Sequence, residues 1–210
     1  KGRRYSVYAA DAQVSRRVLE YEHVERRNSP GYDADVLTAP ERVVAEVVGG
    51  VLHTSPRPGP RHAVAASSLG SDLHGAFHRG RGGPGGWIIL FEPELHLGAQ
   101  PDIVVPDVAG WRRERMSDVP DEPYFTLTPD WACEVLSPAT EAFDRGDKMN
   151  LYAREGLAYL WLVAPRPRTL EAYRLRDLRW ERLGAWSDEA VVRVEPFEAM
   201  EIRLEDLWRV

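Results

Sequence analysis

The chain has 210 residues, a hydrophobic fraction of 43% and a charged fraction of 29%, values typical of one large domain or of one domain with an appendage. No apolar run approaches the roughly 20 residues of a membrane span, and the single Cys133 excludes an internal disulfide and fits a reducing compartment. We therefore expect a cytoplasmic protein. The net charge of −6 argues against a general nucleic-acid coat protein, which would be basic, but is compatible with an enzyme that gathers acidic residues at a metal site.

The first 34 residues differ from the rest of the chain. They are rich in arginine and have partial helical periodicity, which ends at Asn28-Ser-Pro-Gly31. A helix or an arm is predicted here, and both a poorly ordered extension and a partner-binding arm are compatible with the pattern. We divide the chain into an N-terminal extension, residues 1–34, and one folded domain, residues 35–210.

The domain is predicted to begin with a β-hairpin. Two apolar strands flank Gly49-Gly50, a dipeptide typical of a tight hairpin turn. Glu46 lies in the first strand, on the same face as Val44 and Val48, because side chains alternate along a strand. A carboxylate on an apolar face needs a partner or a cation. An edge strand that turns Glu46 to solvent is the equally favoured alternative.

A helix is predicted from Arg61 to His78, after a proline-rich loop. Its apolar residues recur at helical spacing and form one apolar side. His62 stands at the helix start, where it is either a surface residue, the simpler interpretation, or an accessory residue of a cleft. The histidines of this region lack the spacing and the cysteines of a zinc signature, and the glycine-rich loop at residues 80–86 lacks the lysine of a phosphate-binding loop.

Two further strands are predicted at residues 87–91 and 94–97. The segment Gln100-Pro-Asp102 then precedes an apolar run, so Asp102 begins a strand, although an aspartate after proline also simply turns the chain. We interpret residues 107–128 as a long polar connection, a kind of segment that is often functional or mobile in compact domains.

The centre of the domain is predicted to be a βαβ unit. An apolar run at residues 131–136 carries Glu134 on the same face as Leu136, and a second run covers residues 158–164. With a helix between them, the two runs predict a right-handed crossover. The rest of the chain predicts further β-hairpins and a short closing helix.

The intervening helix carries the one interior lysine. Of 27 Lys and Arg residues, only Lys1 and Lys148 are lysines, and lysine, unlike arginine, is a compact charge whose pKa moves on burial. The helix is predicted at roughly residues 145–155, with Thr140 or Asp144 as its cap, so that Lys148 lies on or beside the side that packs on the sheet. Chance, or an i,i+4 salt bridge with Asp144, is the alternative explanation.

Three acidic residues and a lysine thus fall on predicted strands and on the following helix: Glu46, Asp102, Glu134 and Lys148. Two carboxylates on neighbouring strands can hold a hard cation such as Mg²⁺, which neutralises phosphate charge and lowers the pKa of a bound water. A lysine beside them can orient that water or stabilise the charge of the transition state. Such a set is typical of a phosphodiester hydrolysis site.

Several motifs also occur together in the order of a known family. They are Gln-Pro-Asp102, Glu134-Val-Leu-Ser-Pro138, Asp144-Arg-Gly-Asp-Lys148, Leu-Tyr152, Gly156 and Tyr159-Leu-Trp161-Leu-Val. Over roughly residues 36–208 the chain resembles the Uma2 type of endonuclease, which belongs to the restriction-endonuclease-like PD-(D/E)XK superfamily. The resemblance implies an α/β (mixed α+β) fold, in which a restriction-endonuclease-like mixed β-sheet is flanked by helices and carries extra β-hairpins.

The resemblance also implies roles for individual residues. It makes Asp102 and Glu134 metal ligands, with the main-chain carbonyl of Val135 as a third ligand. Lys148 takes the place of the superfamily lysine, because Leu136 stands two positions after Glu134, where the superfamily motif has lysine. The predicted catalytic residues are Asp102, Glu134, Lys148 and Glu46, and the accessory residues are His62, Gln100 and Asp144.

The predicted protein is a Mg²⁺-dependent endonuclease that hydrolyses DNA, with Mn²⁺ as a substitute ion, without an organic cofactor, and assembled as a homodimer. One alternative is a catalytically inactive nuclease fold that serves DNA binding or self-association, which would suit the seven tryptophans. Another is a hydrolase that uses the same carboxylates on a different phosphate ester. No recognition helix or RNA-stacking motif is evident.

Overall fold

The computed structural model describes residues 43–209 of the chain. The extension predicted at residues 1–34 lies outside this range, so it stays a prediction. Strands β1 (Val43–Val48) and β2 (Val51–Pro56) form a hairpin, as expected. Gly49 and Gly50 make its turn with φ of 61° and 76°, a left-handed backbone that glycine adopts without strain.

Helix α1 (Pro60–Leu73) continues into a π-helical turn, His74–His78, which confirms the helix predicted at residues 61–78. Three short strands follow: β3 (Trp87–Phe91), β4 (Leu95–Leu97) and β5 (Asp102–Val104). Strand β5 pairs antiparallel with β1 and with β4. Within residues 43–209, the result is a four-stranded sheet of order β2-β1-β5-β4.

A strand lies where we expected a polar connection at residues 107–128. Val108–Arg112 forms strand β6, which pairs antiparallel with β3 on one side and with β7 (Trp131–Val135) on the other. The prediction of a polar connection was wrong because the short apolar run is followed directly by a cluster of arginines, which makes the whole segment look polar in the sequence. All residues from Val108 to Trp111 are buried, and burial of a short apolar run favours a strand even beside charged residues.

The predicted βαβ unit is present. Strand β7 is followed by a short helix α2 (Glu141–Phe143), a π-helical turn (Asp144–Lys148), helix α3 (Met149–Arg154) and strand β8 (Tyr159–Ala164). Strands β7 and β8 run parallel, which confirms the crossover. The helical segment begins earlier than predicted, so Asp144 lies inside it and does not cap it.

The chain ends in two more antiparallel pairs. The elements are β9 (Thr169–Arg176), β10 (Arg179–Ser187), β11 (Val191–Val192), β12 (Ile202–Arg203) and a 3₁₀ turn, Leu204–Leu207. In the part of the chain that the structure describes, the larger sheet therefore has six strands in the order β10-β9-β8-β7-β6-β3. Because it combines parallel and antiparallel pairs, the predicted mixed α+β fold is confirmed.

Strand β7 separates two parts of the core because its side chains alternate. Trp131, Cys133 and Val135 pack in one apolar cluster with residues of α1. Ala132 and Leu136 pack in a second cluster with residues of α3. Glu134 shares the face of this second cluster.

None of the helices within residues 43–209 has the length and the apolar character that a membrane span requires.

Phe197 is the centre of the first cluster, and its replacement by alanine is expected to be costly. Its buried ring lies 4.6–5.6 Å from the ring centroids of Phe77, Trp87, Trp131 and Trp161. We expect Phe197→Ala to lower the free energy of unfolding by about 3–5 kcal/mol in urea denaturation. Val119→Ala, at an exposed position, is the control and should change it by no more than about 0.5 kcal/mol. Equal losses of unfolding free energy in the two variants would contradict the central position of Phe197 in the first cluster.

Candidate active site

Four charged side chains meet in the interior of the domain, around the ammonium group of Lys148. This side chain is 2% exposed. Its Nζ lies 2.8 Å from Oε1 of Glu134, 3.0 Å from Oε1 of Glu46 and 3.7 Å from Oδ1 of Asp144. The structure thus brings together three of the predicted catalytic residues and the predicted accessory Asp144. We call these four residues the lysine cluster.

The members of the lysine cluster come from two strands and one helical turn. Glu46 lies on β1 and is buried, so the strand does not turn it to solvent. Glu134 extends from β7 on the side that packs against α3. Asp144 and Lys148 are the first and last residues of the π-helical turn, a geometry that often occurs at functional sites because it re-aims side chains.

Two neutral donors fix the glutamates of the lysine cluster. The backbone N–H of Val105 donates to Oε1 of Glu46 at 2.9 Å. The hydroxyl of Tyr152 donates to Oε1 of Glu134 at 2.6 Å. Tyr152 occurs in one of the sequence motifs, but we assigned it no role; its spacing of four residues from Lys148 on one helix was the signal that places both beside Glu134.

The lysine cluster has a surplus of negative charge, since three carboxylates face one ammonium. Burial, together with the charges of Asp144, Asp107 and Glu46, raises the pKa of Glu134 well above its usual range, with Lys148 acting in the opposite direction. Burial by itself would lower the pKa of Lys148, but Glu134 and the other acids raise it well above its ordinary value. The acids around Lys148 therefore favour its charged form.

A carboxylate that sequence reasoning did not assign lies beside the lysine cluster. Asp107 accepts the backbone N–H of Val135 at Oδ2, at 2.7 Å, and its Oδ1 lies 3.1 Å from Nε2 of His62. After burial, its charge is one of the causes that raise the pKa of Glu134. The signal that could have found it is a second Pro-Asp pair, Pro106-Asp107, directly before the buried strand β6.

Asp102 is engaged elsewhere. Its Oδ1 accepts the backbone N–H of Gly49 at 2.7 Å, and its Oδ2 lies 2.6 Å from Nη2 of Arg154. Within residues 43–209, the acids in ion-pair contact with Lys148 are those of the lysine cluster. The structure therefore does not bring Asp102 into contact with the predicted lysine.

The remaining predicted site residues differ in whether the structure places them at the site. His62 contacts Asp107 and so lies at the site; burial alone would lower its pKa, but the hydrogen bond and the charge of Asp107 raise it. The backbone of Val135 reaches the site through its N–H group. Gln100 is exposed in the turn before β5.

The acidic side chains of the lysine cluster and Asp107 have the chemistry that binds a hard divalent cation. Their carboxylate oxygens are ligands that Mg²⁺ prefers, and they bring excess negative charge into a buried place. In the described range, 43–209, no three His, Cys, Asp or Glu side chains converge closely enough to coordinate one ion as they stand. Lys148 Nζ already contacts oxygens of both Glu46 and Glu134, so ammonium and metal ion would compete for the same ligands.

Tyr152→Phe tests the contribution of the short hydrogen bond to Glu134. The variant keeps the buried ring but removes the donor, and a buried acceptor left without its partner costs about 1–3 kcal/mol. We expect a loss of this size in the free energy of unfolding at neutral pH, measured by urea denaturation. Tyr124→Phe, in a ring that stacks on His96, is the matched control. A Tyr152→Phe variant as stable as the parent protein would show that the bond contributes nothing.

The mixed sheet and the crossover between β7 and β8 agree with the restriction-endonuclease-like class of nuclease folds that the sequence resemblance implied. The chain belongs to the Uma2 family, described as "Putative restriction endonuclease", whose model matches residues 33–205. This membership supports a nuclease. No curated protein matches the chain.

A solved structure supports the fold. The chain is similar to a putative nuclease belonging to DUF820 from Anabaena variabilis, with a TM-score of 0.64 and 21% sequence identity. The match covers 78% of this chain and 89% of that chain. At this identity the similarity concerns the fold, and the residues of the site have to be argued from their own geometry.

Proposed function

We propose that this protein is a Mg²⁺-dependent endonuclease that hydrolyses phosphodiester bonds in DNA. The observation that carries the proposal is the buried contact of Lys148 with Glu134 and Glu46, beside Asp107, in a member of a family assigned to restriction endonucleases. Buried ionisable groups with strongly shifted pKa values are typical of functional sites.

In this proposal Asp107 and Glu134 hold the metal ion, with the main-chain carbonyl of Val135 as a third ligand. Asp107 replaces Asp102 in this role because Asp107 binds the backbone of β7 next to Glu134, whereas Asp102 pairs with Gly49 and Arg154. When bound, Mg²⁺ would neutralise phosphate charge and lower the pKa of a water molecule.

Lys148 supplies a fixed positive charge. The surrounding carboxylates keep it protonated, so it stabilises the negative charge that develops on the phosphate in the transition state, and it does not remove a proton. Glu46 and Asp144 hold the ammonium in place beside Glu134. In a buried site of low dielectric constant, such a charge acts more strongly than it would in water.

The proposal is tested with the purified chain, supercoiled plasmid, and short single- and double-stranded DNA and RNA. We expect cleavage of DNA with Mg²⁺ or Mn²⁺, none with EDTA, and none by a Glu134→Gln variant, which retains the size of the side chain. Absence of cleavage of every substrate with either ion, together with absence of Mn²⁺ binding, would overturn it. Inclusion of small phosphoesters separates a nuclease from another phosphohydrolase.

We also propose a homodimer. Among residues 43–209, strand β2 is the edge of its sheet and exposes Val51 and Leu52, and an exposed apolar edge favours pairing with another strand. Light scattering after size exclusion measures the mass directly. A mass of one chain at all concentrations would overturn the dimer and leave the nuclease proposal untouched.

A further inference from the structure

His62 stands in the first turn of α1, an element that contributes no residue to the lysine cluster. Its Nε2 lies 3.1 Å from Oδ1 of Asp107, and the two side chains are only 12% and 15% exposed. The helix start thus brings one imidazole nitrogen against the carboxylate that we propose as a metal ligand.

Asp107 is held from two sides. The N–H of Val135 donates to Oδ2 at 2.7 Å, and the imidazole of His62 contacts Oδ1. A carboxylate fixed at only one oxygen can still rotate about its last bond, whereas contacts at both oxygens define its plane. His62 therefore sets the orientation of the Asp107 carboxylate beside Glu134.

The second imidazole nitrogen of His62, Nδ1, carries an energetic cost. Nδ1 is buried and has no hydrogen-bond partner among the described residues. A buried polar atom without a partner costs about 1–3 kcal/mol, and such an atom in a folded protein calls for an explanation beyond packing.

We propose that His62 is a positioning residue, which holds the Asp107 carboxylate in the orientation that binds the divalent cation. The inference rests on the proposed function, since it concerns the metal site of that function. Side chains that orient a metal ligand typically contribute about 10- to 100-fold to metal affinity or activity. His62 acts through Asp107 and does not itself touch the metal ion.

Three substitutions separate positioning from a structural role. His62→Leu removes both nitrogens and keeps much of the volume. His62→Gln keeps an N–H donor at about the reach of Nε2, and His62→Asn keeps one only at about the reach of Nδ1. His74→Leu, which makes the same change in the π-helical turn that follows α1, is the matched control.

The measurements are Mn²⁺ affinity, by electron paramagnetic resonance of free Mn²⁺, and the melting temperature of the metal-free protein. We expect His62→Leu to weaken Mn²⁺ binding by about 10- to 100-fold. The melting temperature should change little, because the variant loses the contact with Asp107 but also removes the unpaired Nδ1. Gln should restore most of the affinity and Asn should not. His74→Leu should bind Mn²⁺ like the parent protein.

Each outcome decides the inference. Parent-like Mn²⁺ affinity in His62→Leu overturns it and leaves the proposed nuclease intact, and so does equal affinity of the Gln and Asn variants. If His62→Leu fails to fold, the comparison of Gln with Asn still decides. If the parent protein binds no Mn²⁺, the metal site fails, and the positioning role fails with it.

Discussion

Replacement of Lys148 by methionine is expected to remove the proposed DNA cleavage and to destabilise the fold at the same time. The variant leaves the carboxylates of Glu46, Glu134 and Asp144 buried without their shared cation. Loss of one partner from a buried ion pair costs about 3–5 kcal/mol. Loss of one preorganised group that stabilises transition-state charge lowers kcat by roughly 100- to 1,000-fold.

The loss of stability in Lys148→Met should depend on pH. Burial and the neighbouring acids already raise the pKa of Glu134 above its usual value, and the charge of Lys148 is what lowers it, so the variant raises this pKa further. A carboxyl group with a higher pKa in the folded state binds more protons when folded, and stability then falls as pH rises. Urea denaturation should show a larger deficit at pH 8 than at pH 5.

Arg145→Met is the control for Lys148→Met. It removes a positive charge from the same π-helical turn, but Arg145 pairs with Glu141 and Glu171 outside the lysine cluster. Cleavage by this variant should stay within a few-fold of the parent protein. A deficit of Lys148→Met that is independent of pH, or equal cleavage by the two variants, would contradict the electrostatic account.

Asp107→Asn and Asp102→Asn are expected to give opposite results, although both replace an aspartate that follows a proline. Asp107→Asn removes the charge of a proposed metal ligand, so the loss of cleavage and of Mn²⁺ affinity should exceed the roughly 10- to 100-fold that loss of a supporting residue costs. Asp102→Asn keeps an acceptor for Gly49 and loses only its ion pair with Arg154, which is 54% exposed.

Asp102 is itself buried, but its ion pair with Arg154 lies outside the lysine cluster, so Asp102→Asn should cleave DNA nearly as the parent protein does. The measurements are initial cleavage rates with Mg²⁺ and Mn²⁺ titrations of both variants. If Asp102→Asn is inactive and Asp107→Asn is active, the metal site is the one implied by the sequence motif around Asp102, and the assignment of Asp107 fails.

Local pattern was sufficient to predict much of the lysine cluster. Glu134 is one acid in an apolar strand and Lys148 is the single interior lysine, so each stands out against its own background. The crossover between parallel strands then fixes the helix over the sheet. The convergence of Glu46 with them depends on how β1 packs, which no local pattern encodes. The strand period of β1 indicated only that Glu46, on an apolar face, needs a partner or a cation.

The position of Asp107 shows where local pattern fails. Pro101-Asp102 and Pro106-Asp107 are the same dipeptide five residues apart, and each precedes a short strand. We propose Asp107 because β6, the strand that it precedes, is the neighbour of β7. The family resemblance indicated Asp102 instead, and the arginines that follow β6 made this strand difficult to recognise in the sequence.

The π-helical turn has a consequence for how relatives of this protein are recognised. In an α-helix each residue advances the side-chain direction by about 100°, so the wider turn that ends at Lys148 changes which residue of the crossover faces Glu134. The ammonium reaches the carboxylate from a separate element, 14 positions along the chain. A search for an acid followed two residues later by lysine passes over such a chain, whereas a search in space for a buried ammonium between two glutamates finds it.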